Sequence, residues 1–329
     1  MLNGLYVMDL ARFPDVYGDD ERAALEKNLR ILAPPLTPSE LTPELLAEVE
    51  VLVTAWGGPQ LTADLLAAAP RLALVLYGAG SVRSIVTPES WARGVRVTTA
   101  NSVIAASVAE FTLAQVLYAL KHGWRYVLGA RALGESLPRA TNEPGANGSV
   151  VGLMSLGATG QATARLLARH DLVLQAYDPY VDPALAASLG VRLVSLEELF
   201  ATSDVVTLHA PVLAETRQIV STSLLATMKT DATLINTARG ALIDEEALVA
   251  VLGDRPDLFA VLDVTDPEPP LPGSPLFSLP NVVVTPHLAG TLNTERRRQG
   301  RLMATELARY VAAEPLEHEV FEAGQARSA

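Results

Sequence analysis

A turn with the spacing of a dinucleotide-binding loop lies between Val150 and Tyr180. The fingerprint of such a loop is G-x-G-x-x-G between a strand and a helix. Its second and third glycines are present as Gly157 and Gly160, and Ser155 replaces the first. In this motif the first glycine permits a tight turn, the second lets the backbone approach a pyrophosphate, and the third allows the helix to pack on the strand. The flanking patterns favour nucleotide binding, although a strand–turn–helix without a ligand has the same pattern.

The serine in this turn and the acid that follows it lead to two expectations. A serine side chain strains or widens the turn, while its hydroxyl can form a local hydrogen bond. We therefore expect Ser155 to weaken cofactor binding modestly without abolishing it. Asp178 ends the next predicted strand. A carboxylate there accepts from the 2′-hydroxyl of an adenosine ribose and repels a 2′-phosphate, so NAD is the expected cofactor in preference to NADP.

Two series of strand patterns must position this turn. Short apolar runs alternate with helical patterns, which is typical of β-α-β units and a parallel sheet. A chain of 329 residues is long for one core, so two domains are expected. Helical patterns are predicted at 19–32, 105–125 and 291–313, with a loop at 133–149. The predicted strands are 5–9, 49–55, 72–78 and 95–99 in the first series, and 149–155, 172–178, 204–210, 232–238, 258–264 and 281–287 in the second.

The composition narrows the classes of partner and compartment. The formal net charge is −12, whereas nucleic acids and anionic membranes require a basic surface. The chain has no cysteine, which excludes disulfides, thiolate nucleophiles and cysteine metal sites. The first residues lack the basic region of a signal peptide, and no apolar run of about 18 residues is uninterrupted. We expect a cytoplasmic protein with no metal site, nucleic acid or membrane partner.

Four phrases of the second series carry a family resemblance: "LHAPVLAETRQIV", "LINTARGALIDEEAL", "LDVTDPEPP" and "NVVVTPHLAG", in that order. The chain resembles the D-isomer-specific 2-hydroxyacid dehydrogenase family, most clearly over residues 107–290. The resemblance implies an α/β fold with a flavodoxin-like substrate domain (1–100 and 291–329) and an inserted Rossmann NAD-binding domain (101–290). It also implies a homodimer that pairs through the apolar helix at 105–118.

The resemblance implies a catalytic set of Arg239, Glu268 and His287, each close to the end of a predicted strand. A 2-keto acid presents a carboxylate and a carbonyl, and Arg239 can bind the first and polarise the second. His287 can protonate the carbonyl oxygen during reduction, and Glu268 can orient the imidazole. Each residue taken alone has an ordinary alternative: a bridge between loops, a loop charge or a surface histidine.

The family's cofactor contacts correspond to the glycine turn, the acid after it and several later strand ends. Asp263 corresponds to the residue that faces the nicotinamide amide, and its alternative role is a strand-end cap. The full set is Gly157, Ala158, Thr159, Gly160, Asp178, His209, Ala210, Pro211, Thr216, Thr237, Ala238 and Asp263.

The substrate contacts are expected from the first domain and from Arg239. Gly78, Ala79 and Gly80 match the family's substrate loop, whose backbone N–H groups would face the substrate carboxylate as in an anion nest. Phosphoglycerate members place arginines after the second or third strand, but here that loop carries Trp56. If Trp56 faces the substrate pocket, it suits a substrate with an apolar side chain. The alternative is that Trp56 packs under its own loop.

The expected function is NAD-dependent interconversion of a small or medium unphosphorylated 2-keto acid and its D-2-hydroxy acid. Two other functions share parts of the pattern. An NAD-responsive, corepressor-type binding protein would keep the fold with little turnover, but the complete Arg, Glu and His set argues against it. A Rossmann methyltransferase would bind another nucleotide and does not explain "TPH" and "NTARG".

Overall fold

A computed structural model describes residues 1–139 and 144–322 of the chain. It divides into two compact units, one formed by Met1–Ile104 with the described part of Thr291–Ala329, the other by Ala105–Gly290. Residues 140–143 of the predicted loop at 133–149, and residues 323–329 of the segment assigned to the substrate domain, lie outside the described residues.

The elements alternate between strand and helix as the apolar runs predict. In chain order the strands are β1 (Leu2–Tyr6), β2 (Leu29–Ile31), β3 (Val51–Thr54), β4 (Leu74–Tyr77), β5 (Arg96–Thr99), β6 (Val150–Met154), β7 (Val173–Tyr177), β8 (Val191–Leu193), β9 (Val205–Leu208), β10 (Thr233–Asn236), β11 (Phe259–Leu262), β12 (Val282–Val284) and β13 (Glu319–Val320). The α-helices are α1 (Phe13–Val16), α2 (Asp19–Glu26), α3 (Pro43–Glu48), α4 (Ala63–Ala68), α5 (Pro88–Ala92), α6 (Asn101–Ala119), α7 (Gly123–Leu133), α8 (Ala158–Leu167), α9 (Pro183–Ser188), α10 (Leu196–Thr202), α11 (Thr222–Thr227), α12 (Glu245–Asp254) and α13 (Arg297–Val311).

The first unit contains a sheet of order β13-β5-β4-β3-β1-β2. Strands β1 to β5 are parallel in the order 2-1-3-4-5 of flavodoxin-like folds. Strand β13 pairs antiparallel with β5 at one edge. The C-terminal helix α13 belongs to this unit and contributes the buried residues Met303 and Leu307 to its core.

The second unit contains a seven-stranded parallel sheet of order β12-β11-β10-β9-β6-β7-β8. Its first six strands in chain order follow the 3-2-1-4-5-6 arrangement of a Rossmann fold, and β12 extends the sheet beyond β11. The predicted α/β fold class with flavodoxin-like and Rossmann parts is confirmed. Successive residues Leu234 and Ile235 of β10 pack into two different cores, so both faces of the sheet are covered. Polar side chains with a chemical role must therefore come from the strand ends.

Local predictions differ from the structure in two helical segments. The helical pattern at 19–32 stops at Glu26, and Leu29–Ile31 form an edge strand because alternate residues there face the core. The helix predicted over 105–125 runs from Asn101 to Ala119 and resumes at Gly123. His122 breaks it with a left-handed φ of 52°.

Among the described residues, helix α6 has the length and apolar composition of a membrane-crossing helix. Its apolar run is interrupted by Glu110, in agreement with the expectation from the sequence. Length and composition alone do not distinguish a membrane span from a core helix of a globular unit, and Val116 and Ala119 of α6 are buried in the core of the second unit.

Candidate active site

The turn after β6 places Ser155 in the backbone region that favours glycine. Its φ is 82°, so the fingerprint glycine missing here would have relieved a backbone conformation that L residues rarely adopt. Helix α8 then begins with Ala158 and Thr159. A Cβ on Gly160 would lie 2.1 Å from the carbonyl oxygen of Ser155. Gly160 is therefore required for the close approach of α8 to the strand end, whereas a Cβ on Gly157 would meet only Ser155 Oγ, at 3.9 Å.

The carboxylate of Asp178 is tied to the same turn by four hydrogen bonds. Its Oδ2 atom accepts from the backbone N–H of Leu156 at 2.8 Å and from the hydroxyl of Ser155 at 3.2 Å. Its Oδ1 atom accepts from the N–H groups of Tyr180 at 2.9 Å and Val181 at 3.1 Å. Asp178 thus fixes the loops after β6 and β7 relative to each other, a structural role that the sequence did not indicate.

The start of α8 fits a pyrophosphate. Helices α10 and α12 of the same unit are capped by Ser195 and Asp244, whose side chains accept from backbone N–H groups of the first turn. Gly157 is the N-cap residue of α8, so this helix start has no side-chain cap, and Gly157 is exposed. An uncapped helix start presents N–H donors and a positive dipole end to an anion. With Asp178 at the end of the adjacent strand, the residues present fit a dinucleotide such as NAD.

The segment after β9 contains His209 and Ala210, both buried. The backbone N–H of His209 donates to the carbonyl of Met154 at 2.9 Å, which joins this strand end to the glycine turn. Burial lowers the pKa of the His209 imidazole to about 3. The side chain is therefore neutral at physiological pH, and its Nε2 lies 3.3 Å from the hydroxyl of Thr207.

The loop that follows is closed by the hydroxyl of Thr216. This hydroxyl accepts from the N–H of Leu213 at 2.7 Å and donates to the carbonyl of Pro211 at 2.6 Å. Thr216 therefore shapes the predicted cofactor segment through internal hydrogen bonds.

The turn after β10 holds Arg239 through the side chain of Asn236. The Asn236 amide accepts from the N–H of Ala238 at 3.0 Å and donates to the carbonyl of Arg239 at 2.9 Å. Thr237 is buried, and its hydroxyl lies 3.1 Å from that of Thr112 on α6. The side chain of Arg239 is exposed at the carboxyl end of the sheet, with one guanidinium N–H donating to the carbonyl of Ala238.

Gly240 brings the arginine turn against the next strand end. A Cβ at this position would lie 2.0 Å from the carbonyl carbon of Thr265 and 2.5 Å from the nitrogen of Asp266. No side chain can occupy that space, so only glycine allows the backbone after Arg239 to contact the segment that leads to Glu268.

Glu268 and His287 are brought together after β11 and β12. The Nδ1 atom of His287 lies 2.5 Å from Oε1 of Glu268, and both side chains are about half exposed. Because β10, β11 and β12 are neighbours in one parallel sheet, Arg239, Glu268 and His287 follow the carboxyl ends of three adjacent strands. Asp263, at the end of β11, is 1% exposed, and its carboxylate accepts from Thr285 and from two backbone N–H groups.

In the first unit, the Gly78–Gly80 segment follows β4. A Cβ on Gly78 would lie 2.5 Å from the phenol oxygen of Tyr17, so glycine is required there for space. The carbonyl of Ala79 accepts from the Thr99 hydroxyl at 2.8 Å and from the N–H of Ala100 at 2.9 Å. Neither Gly78 nor Gly80 has a left-handed φ, so the segment lacks the right- and left-handed alternation of an anion nest that the sequence predicted.

Trp56 lies after β3, half buried, and contacts two arginines from distant parts of the chain. The guanidinium carbons of Arg12 and Arg296 lie 5.6 and 5.7 Å from its ring centroid. Arg296 pairs with Asp15 at 2.7 Å, and Arg12 lies 3.7 Å from Asp9. The loop itself supplies no arginine, but the fold supplies two, and each has an acidic neighbour.

Three residues that hold the turn around Arg239 in place were not identified from the sequence. Asn236 and Gly240 lie within the quoted phrase "LINTARGALIDEEAL", so their positions beside Arg239 were a usable signal. Thr112 had none, because its contact with Thr237 joins residues far apart in the chain.

The sheet order, the glycine turn and the acidic strand end define the second unit as a Rossmann-type dinucleotide-binding domain. The family model for "D-isomer specific 2-hydroxyacid dehydrogenase, NAD binding domain" matches residues 114–289. The chain belongs to the D-isomer specific 2-hydroxyacid dehydrogenase family, which confirms the resemblance. The cofactor of this domain family is NAD, as predicted.

Individual relatives agree with this family. D-3-phosphoglycerate dehydrogenase of Mycobacterium bovis is 36% identical over 77% of this chain and 47% of its own length. This chain therefore spans about half the length of that relative. Hydroxypyruvate reductase of Thermotoga maritima is 31% identical over 84% of this chain and 89% of its own. The structure of a D-isomer specific 2-hydroxyacid dehydrogenase from Xanthobacter autotrophicus, in complex with NADPH and MES, is 26% identical, covers 98% of this chain and 99% of that one, and has a TM-score of 0.73.

Proposed function

We propose that the protein is an NAD-dependent oxidoreductase that interconverts a small or medium 2-keto acid and its D-2-hydroxy acid. The observation that carries the proposal is the 2.5 Å contact between His287 Nδ1 and Glu268 Oε1. It places an oriented imidazole at the carboxyl edge of a sheet whose domain family binds NAD. A histidine held by a carboxylate is a general acid and base suited to an alcohol–ketone conversion.

The residues divide the reaction between binding and proton transfer. With NAD(H) held at the start of α8 and beside Asp178, the chemistry that the cofactor would supply is hydride transfer at the substrate carbonyl carbon. Arg239 binds the substrate carboxylate and polarises the carbonyl through its planar set of donors. With the Nδ1–H of His287 donating to Glu268, its Nε2–H gives a proton to the carbonyl oxygen. In the reverse direction Nε2 accepts the hydroxyl proton, so one histidine serves both directions.

We assign substrate recognition in the first unit to Gly78, Ala79 and Gly80, with Trp56 bordering the substrate side chain. An unphosphorylated substrate is favoured because Arg12 and Arg296, which contact Trp56, lie beside Asp9 and Asp15. Their charge is offset before any phosphate approaches. A small or medium keto acid therefore remains the proposed substrate class.

The cofactor preference is for NAD(H) over NADP(H). Both oxygens of Asp178 accept from backbone N–H groups, and Oδ2 also accepts from the Ser155 hydroxyl, so the carboxylate cannot turn aside without breaking those bonds. A 2′-phosphate would meet a fixed negative charge. Titration with the two reduced cofactors by fluorescence tests this preference, and equal or tighter binding of NADPH would contradict it.

A steady-state assay tests the function as a whole. Oxidation of NADH is followed with a panel of 2-keto acids that includes glyoxylate, hydroxypyruvate, pyruvate and phosphohydroxypyruvate. We expect turnover with unphosphorylated acids and a fall in kcat/KM of about 10²-fold or more in Arg239→Ala. Arg71→Ala, which removes an exposed arginine paired with Glu48, is the matched control. Binding of NADH without turnover of any acid would favour the corepressor-type alternative.

We also propose that the protein forms a homodimer through α6 and α7. These helices expose Tyr118, Val127 and Leu133, at 39%, 38% and 63%. Large apolar side chains exposed on helices are typical of surfaces that a second copy covers. Light scattering at micromolar concentration should give twice the monomer mass of 34.9 kDa. Leu133→Asp should shift the equilibrium toward monomer, and a stable wild-type monomer would refute the proposal.

We further infer that the protein binds neither nucleic acid nor anionic membrane. The inference rests on the net charge of −12, which repels both kinds of polyanion at physiological salt. Sedimentation with anionic vesicles and with duplex DNA should leave the protein in the supernatant. Co-sedimentation with either polyanion would contradict the inference.

A further inference from the structure

The hydroxyl of Ser155 lies between the two parts of the site that recognise different groups of the cofactor. It donates to Asp178 Oδ2 at 3.2 Å. The same oxygen atom also borders Gly157: a Cβ on that glycine would lie 3.9 Å from Ser155 Oγ. In the dinucleotide-binding motif, the position of Asp178 serves the adenosine ribose and the position of Gly157 serves the pyrophosphate.

The backbone strain at Ser155 and its hydroxyl are two separate properties of the residue. Its φ of 82° lies in the region that favours glycine. A glycine here would therefore relieve the backbone strain in the folded protein. The hydroxyl is the part of Ser155 that can form a hydrogen bond with a ligand.

The acceptor sites of Asp178 are fully used. Two carboxylate oxygens offer about four lone-pair sites, and Ser155, Leu156, Tyr180 and Val181 each donate to one. Three of these donors are backbone N–H groups that cannot leave without moving the loops. The hydroxyl bond is the longest of the four, and a hydroxyl rotates freely, so it is the donor that can yield to a ribose hydroxyl.

We propose that Ser155 is an exchange donor that couples recognition of the ribose to recognition of the pyrophosphate. Its hydroxyl releases Asp178 Oδ2 to a ribose hydroxyl and turns to a phosphate oxygen over the open face of Gly157. This proposal rests on NAD binding by the second unit. A ligand with a ribose and no phosphate displaces the hydroxyl without giving it a new acceptor, whereas a ligand with both groups restores the lost hydrogen bond as a charge-assisted one.

Ser155→Gly and Ser155→Ala separate the hydroxyl from the strain. Both remove the hydroxyl, while only Ser155→Gly removes the Cβ at positive φ. We expect both variants to bind adenosine more tightly than wild type and ADP-ribose more weakly, by about 3- to 10-fold in each direction. For a ligand with a pyrophosphate, this proposal reverses the expectation from the sequence that Ser155 weakens binding. The melting temperatures of the two variants should differ from each other, with Ser155→Gly the higher. Ser188→Ala, which removes an exposed hydroxyl on α9, should leave both affinities unchanged.

Isothermal titration and ligand-observed NMR measure these affinities without turnover. Opposite signs for adenosine and ADP-ribose in both variants would support the exchange, even in a protein that oxidised no NADH and so contradicted the proposed function. Changes of the same sign for the two ligands, or no change, would overturn the exchange. A difference between the two variants in ligand affinity as large as their common change would also overturn it, because strain would then be felt in binding.

Discussion

The carbonyl oxygen of Asp263 accepts a hydrogen bond from the backbone N–H of His287 at 2.9 Å. The carboxylate of Asp263 accepts from the hydroxyl of Thr285 at 2.6 Å and from the N–H groups of Leu288 and Ala289 at 2.9 and 2.8 Å. One buried aspartate therefore fixes the backbone on both sides of His287, whose φ of 52° is unusual for a non-glycine residue. Asp263 therefore caps the end of β11, which is one of the two roles considered for it from the sequence. Its other role, a contact with the cofactor, stays a prediction.

Asp263→Asn should destabilise the protein and lower kcat. The amide keeps the shape of the side chain, but its NH2 group must face donors that the carboxylate oxygens now accept from. Loss of hydrogen bonds to a buried charged group costs about 2–4 kcal/mol of unfolding free energy, and the displaced loop moves His287. Urea unfolding and steady-state kinetics measure the two effects. Thr285→Val, which removes only one donor, should show a smaller loss, and a wild-type unfolding midpoint in Asp263→Asn would contradict this role.

His287→Ala should lower kcat by about 10²-fold or more, because general acid catalysis is lost. Cofactor affinity should change little, since the proposed role of the side chain is at the substrate carbonyl. Glu268→Gln keeps an amide oxygen as acceptor for Nδ1–H and should therefore lose less activity. Pre-steady-state kinetics separate the chemical step from release. Full activity in His287→Ala would remove the proposed mechanism.

Gly240→Ala should lower the proposed activity by displacing Arg239. The added Cβ would lie 2.0 Å from the carbonyl carbon of Thr265, so the turn or the facing strand end must move. We expect a fall in kcat/KM of about 10²-fold and a lower melting temperature. Gly253 in α12 is the matched control, because a Cβ there meets nothing within 4 Å. Gly253→Ala should keep full activity and gain up to about 1 kcal/mol of unfolding free energy.

Stability should fall as the pH drops below about 6.5, partly because of His209. Burial lowers its folded-state pKa to about 3 from an ordinary value of 6.5. Between these values the unfolded chain binds a proton that the folded one does not, so stability rises with pH across this window and levels off above it. The contribution at about pH 5 is ~2 kcal/mol. His209→Gln should reduce the difference in unfolding free energy between about pH 5 and about pH 7.5. If the difference is the same as in wild type, the imidazole takes up a proton within the fold, and this prediction is contradicted.

The sequence predicted most of the longer strands, because apolar runs are local signals. It also identified the candidate site residues, because the family phrases that contain them are local as well. It did not predict β2, β8 or β13, which have two or three residues each and show too little alternation to stand out. At the site, the residue types at 239, 268 and 287 were readable. The left-handed φ of Ser155, the four bonds to Asp178 and the contact between Gly240 and Thr265 were not, because each depends on which strand ends become neighbours. Those contacts are properties of the assembled sheet.

The proposed reaction moves a hydride from NADH to a 2-keto acid and yields the D-2-hydroxy acid. The most direct measurement uses NADH with deuterium at both C4 positions of the nicotinamide, an accepted keto acid whose product is chiral, and chiral chromatography coupled to mass spectrometry. We predict one deuterium on the carbinol carbon of the D-2-hydroxy acid, and no such product with His287→Ala on the same time scale. An L product, or a product without deuterium, would contradict the account.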